Sequence, residues 1–328
     1  MALILLIAII LNIILGALLY MARGQVNPPI WAPFISISKW CEKRLNRDSR
    51  SRQDIIFRGF LSYMAVLAVA IVFYFVLDGL RLAAMSADTA RIVAIVILAL
   101  CITTTPLTLL SRYIGAVKPQ KKNVSFLRDV SHVKKMAENS YVDFTPSDDA
   151  SVRRHFIGYA LIMLSRGFIG PLFWFYLLGV KGVLFYSATQ SFVMLVSKYG
   201  HHNSFATLPS ILMRVLDLIP EVMTGIIVTI CSAFVPGASV KSAVYAVFHL
   251  SDAPPYEQGG VPLHILAHAL GVSLGGPVRS YEGVALKNKW AGGAKASANI
   301  EAKTVKVFTF YILIFQAITV FLIGLLLF

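Results

Sequence analysis

Residues 2–21 read ALILLIAIILNIILGALLYM, a run of twenty residues without a charge, in which Asn12 is the one strongly polar side chain. At ~1.5 Å of rise per residue, a helix of this length covers the ~30 Å hydrocarbon core of a bilayer. No basic stretch precedes the run and no small-residue cleavage site follows it, so the expectation is a retained membrane helix and not a removed leader.

Working outward, similar apolar blocks recur at Gly59–Leu80, Ala90–Leu110, His155–Val180, Leu208–Val235 and Val305–Phe328. The second and third blocks are joined by a short turn around Ser86–Thr89, which predicts antiparallel neighbours. The fourth contains Arg166, Gly167 and the Gly170–Pro171 pair, an arrangement expected of a kinked helix whose arginine faces protein or water. After Gly182, the apolar stretch to Val196 is too short to span comfortably, which predicts a re-entrant or tilted segment. The expected fold is therefore all-α, a polytopic integral membrane protein with about six transmembrane helices and a re-entrant or interfacial helix, organised as a single membrane domain over residues 1–328.

Composition agrees. The 328 residues are 57% hydrophobic and 14% charged, with a mean hydropathy of +0.72, whereas soluble domains carry about 25% charged residues. The formal net charge of +14 raises the question of nucleic acid, but the cations lie between the apolar blocks. Arg23 and seven more Lys or Arg fill the first connection as far as Arg58, and nine lie between Arg112 and Arg154. By the positive-inside rule, residues 22–58, 111–154 and 236–304 are expected cytoplasmic loops with the N-terminus outside. No interleaved aromatics accompany these charges on a folded module, so a nucleic-acid face is not expected. Pro28, Pro29 and Pro33 break the first loop, and Trp31, Phe34 and Trp40 are expected as interfacial aromatics. Cys41, Cys101 and Cys231 form neither a disulfide framework nor a metal spacing.

The polar residues offer few sites. Arg214 and Asp217 lie three apart on one helix face, where they can pair with each other or line a pocket, and Arg166 can join them against an anionic ligand such as a phosphate. His264 and His268 stand at i, i+4, but the Glu of a zinc-protease motif does not follow His264, so packing is expected and no metal. Glu257, Gln258, Gly259 and Gly260 lead into a glycine-rich stretch. There Gly271, Gly275, Gly276 and Pro277 can let backbone N–H groups approach a substrate phosphate, or can build a tight structural turn. No P-loop sequence is present. Phe173–Tyr176 can stack on a flat ligand, though such clusters in membrane helices more often pack.

Ala269-Leu270-Gly271-Val272-Ser273-Leu274-Gly275-Gly276-Pro277, with Gly260, Pro262, Tyr281 and Gly283 around it, resembles the C-terminal signature of the cobinamide-phosphate synthase (CobD/CbiB) family. In the same order along the chain, Arg44-Leu45-Asn46-Arg47 resembles the family's first loop. Pro171-Leu172-Phe173-Trp174 with Gly179, Gly182 and Tyr186 resembles its central segment, and Leu216–Thr224 its Leu-Asn-Tyr-Ile-Pro helix. The resemblance implies a protein of the bacterial inner membrane acting in cobalamin biosynthesis. It would join aminopropanol, or its phosphate, to a carboxyl of the corrinoid adenosylcobyric acid, with ATP to activate the carboxylate and Mg²⁺ to offset phosphoryl charge.

The chain departs from the family at three polar motifs. Leu161–Leu164 stands where an Ala-Glu-Asn motif is expected, with Arg166 in place of an Asp. Gln190-Ser191-Phe192-Val193 replaces Asn-Thr-Leu-Asp, and Ala32-Pro33 replaces His-Pro. Ala137-Glu138-Asn139 spells the missing motif far upstream. The candidate catalytic carboxylates are therefore Glu257, Glu138 and Asp217. The alternative is a catalytically degenerate member, or a membrane sensor resembling the AmpE-like signalling proteins.

Overall fold

The computed structural model describes residues 1–24, 26–47, 50–83, 87–116, 131, 133–134, 136, 148–196, 204–279 and 285–327. Eleven described helices make the architecture: α1 (Ala2–Arg23), α2 (Trp31–Leu45), α3 (Arg52–Ala83), α4 (Ala87–Cys101), α5 (Thr105–Ala116), α6 (Asp149–Leu164), α7 (Gly170–Val196), α8 (Thr207–Cys231), α9 (Val240–Phe248), α10 (Gly260–Leu270) and α11 (Ala302–Leu325). Four two-residue strands follow α10: β1 (Leu274–Gly275) pairs antiparallel with β4 (Trp290–Ala291), and β2 (Val278–Arg279) with β3 (Ala285–Leu286).

Among the described residues, five helical stretches are long and apolar enough to cross a bilayer: Ala2–Ala22, Arg52–Gly79, Ala87–Ala116, Asp149–Met194 and Ala302–Leu325. The chain is an all-α polytopic membrane protein. The sixth expected crossing, Leu208–Val235, does form a helix as α8, but Arg214, Asp217 and Glu221 fall within it, which sets it apart from the five. The outer surface is apolar: Ile10, Phe75, Val215, Leu218 and Phe321 are each 55% exposed or more, as lipid-facing side chains must be.

Where helices meet, small and polar side chains join them. Ser111 and Thr309 hydroxyls lie 2.8 Å apart between α5 and α11, and Ser232 lies 2.7 Å from the Tyr311 hydroxyl. Phe156 meets Phe308 edge-on at 6.1 Å, and Phe168 meets Phe315 at 6.5 Å. Trp31 and Phe34, expected at the interface, are instead 1% exposed, because α2 turns its Trp31–Phe34–Ser38–Cys41 face inward. Only Trp40 stays outside, with the Arg44 guanidinium 4.3 Å from its ring.

Two interruptions in the membrane helices shape the interior. The Ala87–Ala116 stretch unwinds at Ile102–Thr104, exposing carbonyls that lipid cannot satisfy. Asn12, in the middle of α1, supplies the missing donors: its Nδ2 donates to Ala99 O at 2.8 Å and Ile102 O at 2.9 Å, while its Oδ1 accepts from Thr104 Oγ1 at 2.7 Å. The one polar residue of the opening run is thus the clamp of a broken neighbour. The second interruption is a π-helical turn at Ser165–Ile169, between α6 and α7, which frees backbone groups. Thr103 N–H donates to Gly167 O at 2.8 Å, so the two breaks meet.

The α7 helix then folds back on itself. Gly179 adopts φ +62°, and a Cβ on Gly182 would stand 2.4 Å from Trp174 O. In a straight helix Tyr186 and Gly170 would be ~24 Å apart, yet a Cβ on Gly170 would lie 2.0 Å from the Tyr186 hydroxyl. The segment after Gly182 therefore returns beside the one before it, in the manner of the re-entrant piece expected there.

Candidate functional site

The fold-back and the π turn bring Tyr186 and Arg166 to one place, and α8 supplies the rest. Pro220 has no N–H, so Leu216 O in α8 loses its helical donor. Trp174 Nε1 fills that role at 3.1 Å and docks α8 on α7. This sets Asp217, 0% exposed, against the π turn.

Arg166 Nε lies 3.4 Å from Asp217 Oδ2, with the two side chains 8% and 1% exposed. The Tyr186 hydroxyl contacts Asp217 Oδ1 at 2.6 Å and Arg166 O at 3.2 Å. Tyr256, from the loop before α10, closes the group: its hydroxyl donates to Asp217 Oδ2, its carbonyl accepts from Arg166 Nη2, and its ring lies 3.8 Å from the guanidinium carbon. A charge this far from water needs a partner on every side, and Arg166 has one.

The residues beside Tyr256 form a strap. Glu257 Oε1 accepts from Arg214 Nε at 2.8 Å and also from Nη2. Gln258 Oε1 accepts from Lys289 N at 2.8 Å, and Lys289 Nζ donates to Ala253 O at 3.2 Å. Glu221, one turn beyond Asp217, accepts from Val261 N at 2.9 Å in the first turn of α10, where the helix dipole favours an anion. Gly259 and Gly260 have φ +110° and +51°, and a Cβ on Gly260 would fall 1.8 Å from Glu221 Oε1. A side chain here would evict the carboxylate.

The expected Arg214–Asp217 pair is not formed. Although three apart on one helix, they serve different partners, because Asp217 faces the interior and Arg214 the strap. Arg166 meets Asp217. Glu138 lies outside the described residues, as do Tyr281 and Gly283 of the signature. Sequence reasoning missed Glu221, Tyr186 as an Asp217 partner, and Tyr256. The i, i+4 spacing of Asp217 and Glu221 in an apolar helix was the signal available for the first.

Gly271, Gly275 and Gly276 all have positive φ, of 65°, 74° and 77°. Gly271 ends α10, and its N–H goes to His268 O. The Gly276 N–H points at Lys289 O at 3.4 Å, and a Cβ there would sit 2.5 Å from the Trp290 ring. Pro277 follows. The Gly276 amide faces the start of β4, where Lys289 is tied to Gln258 in the strap. His264 and His268 stack edge to face at 4.6 Å, with His264 buried. Among the described residues, no three His, Cys, Asp or Glu side chains converge on a metal position.

The formal charges of the group are Arg166 and Arg214 against Asp217, Glu221 and Glu257, so it carries an excess of one negative charge. Asp217 is saturated by three donors, whereas Glu221 and Glu257 are engaged through one oxygen each. The arrangement can hold a cationic group at its rim and resists an anion at its centre.

Comparison with known proteins places the chain. A "Probable cobalamin biosynthesis protein CobD" from Methanococcus maripaludis (strain C7 / ATCC BAA-1331) is 26% identical over 112 residues, which is 34% of this chain and 36% of that protein. The alignment thus spans about a third of the relative's length. No solved structure matches. The family model described as "CobD/Cbib protein" matches residues 5–308, which takes in the π turn, α8, the strap and the glycine signature. The chain belongs to the CobD/Cbib family.

Proposed function

We propose that this chain acts in cobalamin biosynthesis as a multi-pass protein of a bacterial inner membrane, its N-terminus outside. In this reading it is a ligase that forms the amide bond between an aminopropanol, or its phosphate, and a carboxyl of adenosylcobyric acid, with ATP as co-reactant, so that the carboxyl oxygen leaves as phosphate when the amine attacks. The observation that carries the reading is convergence within a family match over residues 5–308: Arg166, Asp217, Glu221, Tyr256 and Glu257 come from three separate stretches to one point.

In this reading Glu257 and Gln258 sit on the strap that meets substrate, and Glu221 and Glu257 attract the ammonium form of the amine. Asp217 positions Arg166 and the two tyrosines. Mg²⁺ is commonly held by one or two carboxylates together with substrate phosphates, and Glu221 and Glu257 suit that limited role. ATP is a different matter. The Gly271, Val272, Ser273 and Gly276 amides already have backbone acceptors, so the glycine signature is not a nucleotide cradle, and no step is routed through ATP there.

One observation favours a second reading. Both arginines are neutralised within the protein, as expected if the site is now structural and the chain is a degenerate member or an AmpE-like sensor. Complementation decides between the two. A bacterial strain lacking its cobinamide-phosphate synthase would carry the native chain, Glu257→Ala or Glu138→Ala, scored by growth that depends on cobalamin made from cobyric acid. Growth restored by the native chain and lost in Glu257→Ala supports the ligase. A chain that accumulates in the membrane and fails to restore growth supports the second reading.

A further inference from the structure

We propose that residues 239–270 are a re-entrant hairpin dipping into the bilayer, and that the outer face of α9 is covered by lipid acyl chains. This does not depend on the reaction proposed above, and it differs from the solvated loop expected at 236–304.

The hairpin geometry comes first. Ser239 N–H donates to Ala269 O at 2.8 Å, so the start of α9 meets the end of α10 and the two helices run out and back. The eleven residues of α10 reach ~16 Å, about half of the ~30 Å hydrocarbon core. A segment that enters and leaves on one side and reaches the middle is re-entrant.

Depth is fixed by a chain of contacts. Asn12 lies halfway along the twenty-two residues of α1, about 15 Å from either end, and so near the mid-plane. Thr104 bonds Asn12, the adjacent Thr103 bonds Gly167 O, and Arg166 bonds Tyr256 O at the hairpin's tip. The tip is thus tied to the level of Asn12 through Thr104, Thr103, Gly167 and Arg166 in turn, while the base at Ser239 and Gly271 leads to polar sequence.

The composition of α9 fits a lipid-facing helix, while the tip beyond it carries exposed His249 and Asp252. Val240, Val244, Tyr245, Phe248 and Leu250 are 40–79% exposed, with Phe248 the most exposed, and α9 carries one charge, Lys241, in its first turn. Eight of the eleven residues of α10 are buried. That helix lies along α8, where Gly225 lets Ile265 and Val261 approach. The outer face of α8 carries Leu218, Val222 and Ile226 at 67%, 52% and 55% exposure. The α9 face continues this lipid-facing surface. An apolar patch of this kind is not left to water, and in a membrane protein the neighbouring phase is hydrocarbon.

The test uses the whole protein in vesicles containing nitroxide-labelled lipids. Val244→Cys and Phe248→Cys carry an environment-sensitive fluorophore, with Ile10→Cys as the lipid control and exposed Lys295→Cys as the aqueous one. The native cysteines are buried, and the unsubstituted chain measures their background. The expected result is emission as blue as at Ile10→Cys, with several-fold quenching by nitroxide lipid and little by iodide. Emission and iodide quenching like Lys295→Cys would overturn the proposal. Shielding from both quenchers would also overturn it, assigning the face to a second copy of the chain. The native chain gives a check free of substitution: a carbene photolabel dissolved in the lipid should mark peptides over 240–250 as heavily as those over 2–23, and absence of label there would refute the assignment.

Discussion

The Arg166–Asp217 pair makes the most demanding prediction. Asp217→Asn keeps the shape and leaves the two tyrosine hydroxyls an oxygen to bond, but it removes the carboxylate charge 3.4 Å from a guanidinium whose side chain is 8% exposed. Solvent cannot take up that charge, so no discount for screening applies, and breaking such a pair costs about 3–5 kcal/mol. Against a total stability of about 5–15 kcal/mol that is a large fraction. Arg166→Met alone should cost less, because the stranded Asp217 keeps hydroxyl donors from Tyr186 and Tyr256 and can take up a proton. Combining the two removes both charges and should recover about 2 kcal/mol relative to the sum of the singles. Denaturation of the purified protein in mixed micelles, followed by tryptophan emission, reads all four corners of the cycle. Additive single effects, with no coupling, would refute the claim that this contact is a buried, mutually dependent ion pair.

Four further outcomes follow from the same geometry. Asn12→Leu removes three hydrogen bonds at the broken helix and should cost about 2 kcal/mol in a micellar unfolding assay, given ~0.6 kcal/mol or more per interhelical bond. Trp174→Phe should cost about 1 kcal/mol, and less in a Pro220→Ala background, where the helix regains its own donor to Leu216 O; an undiminished cost would contradict that account. Gly276→Val should destabilise by about 1–3 kcal/mol, from a positive φ and a Cβ 2.5 Å from Trp290, with Trp290 emission shifted. Asp148 caps α6 by accepting from Ser151 N at 2.8 Å, so Asp148→Ala should cost about 1 kcal/mol. Burial raises the Asp148 carboxyl, but the Ser151 hydrogen bonds and Arg154 outweigh it and hold the group below its ordinary 3.8. A depressed carboxyl contributes stability in full above that value and loses it as pH falls below. The Ala variant should therefore differ from the native chain at neutral pH and converge with it in acid.

Sequence alone determined that this is a helical membrane protein, because uncharged runs such as residues 2–21 have few solvents other than lipid. It also determined the order of the family motifs, which is written linearly. Arg166, Arg214, Asp217, Glu257 and Gln258 were legible as candidates, since a charge in an apolar helix stands out. Their partners were not. Arg214 and Asp217 looked like a pair by spacing, yet rotation of α8 sends one to Glu257 and the other to Arg166 across a helix break. Glu221 and Tyr256 became visible only once the turn before α10 had been folded against α8. Local periodicity states which face a residue occupies, whereas the partner on that face is chosen by contacts about thirty to fifty residues away along the chain. Those contacts follow from how the broken helices satisfy their freed backbone groups, and only the tertiary structure decides that.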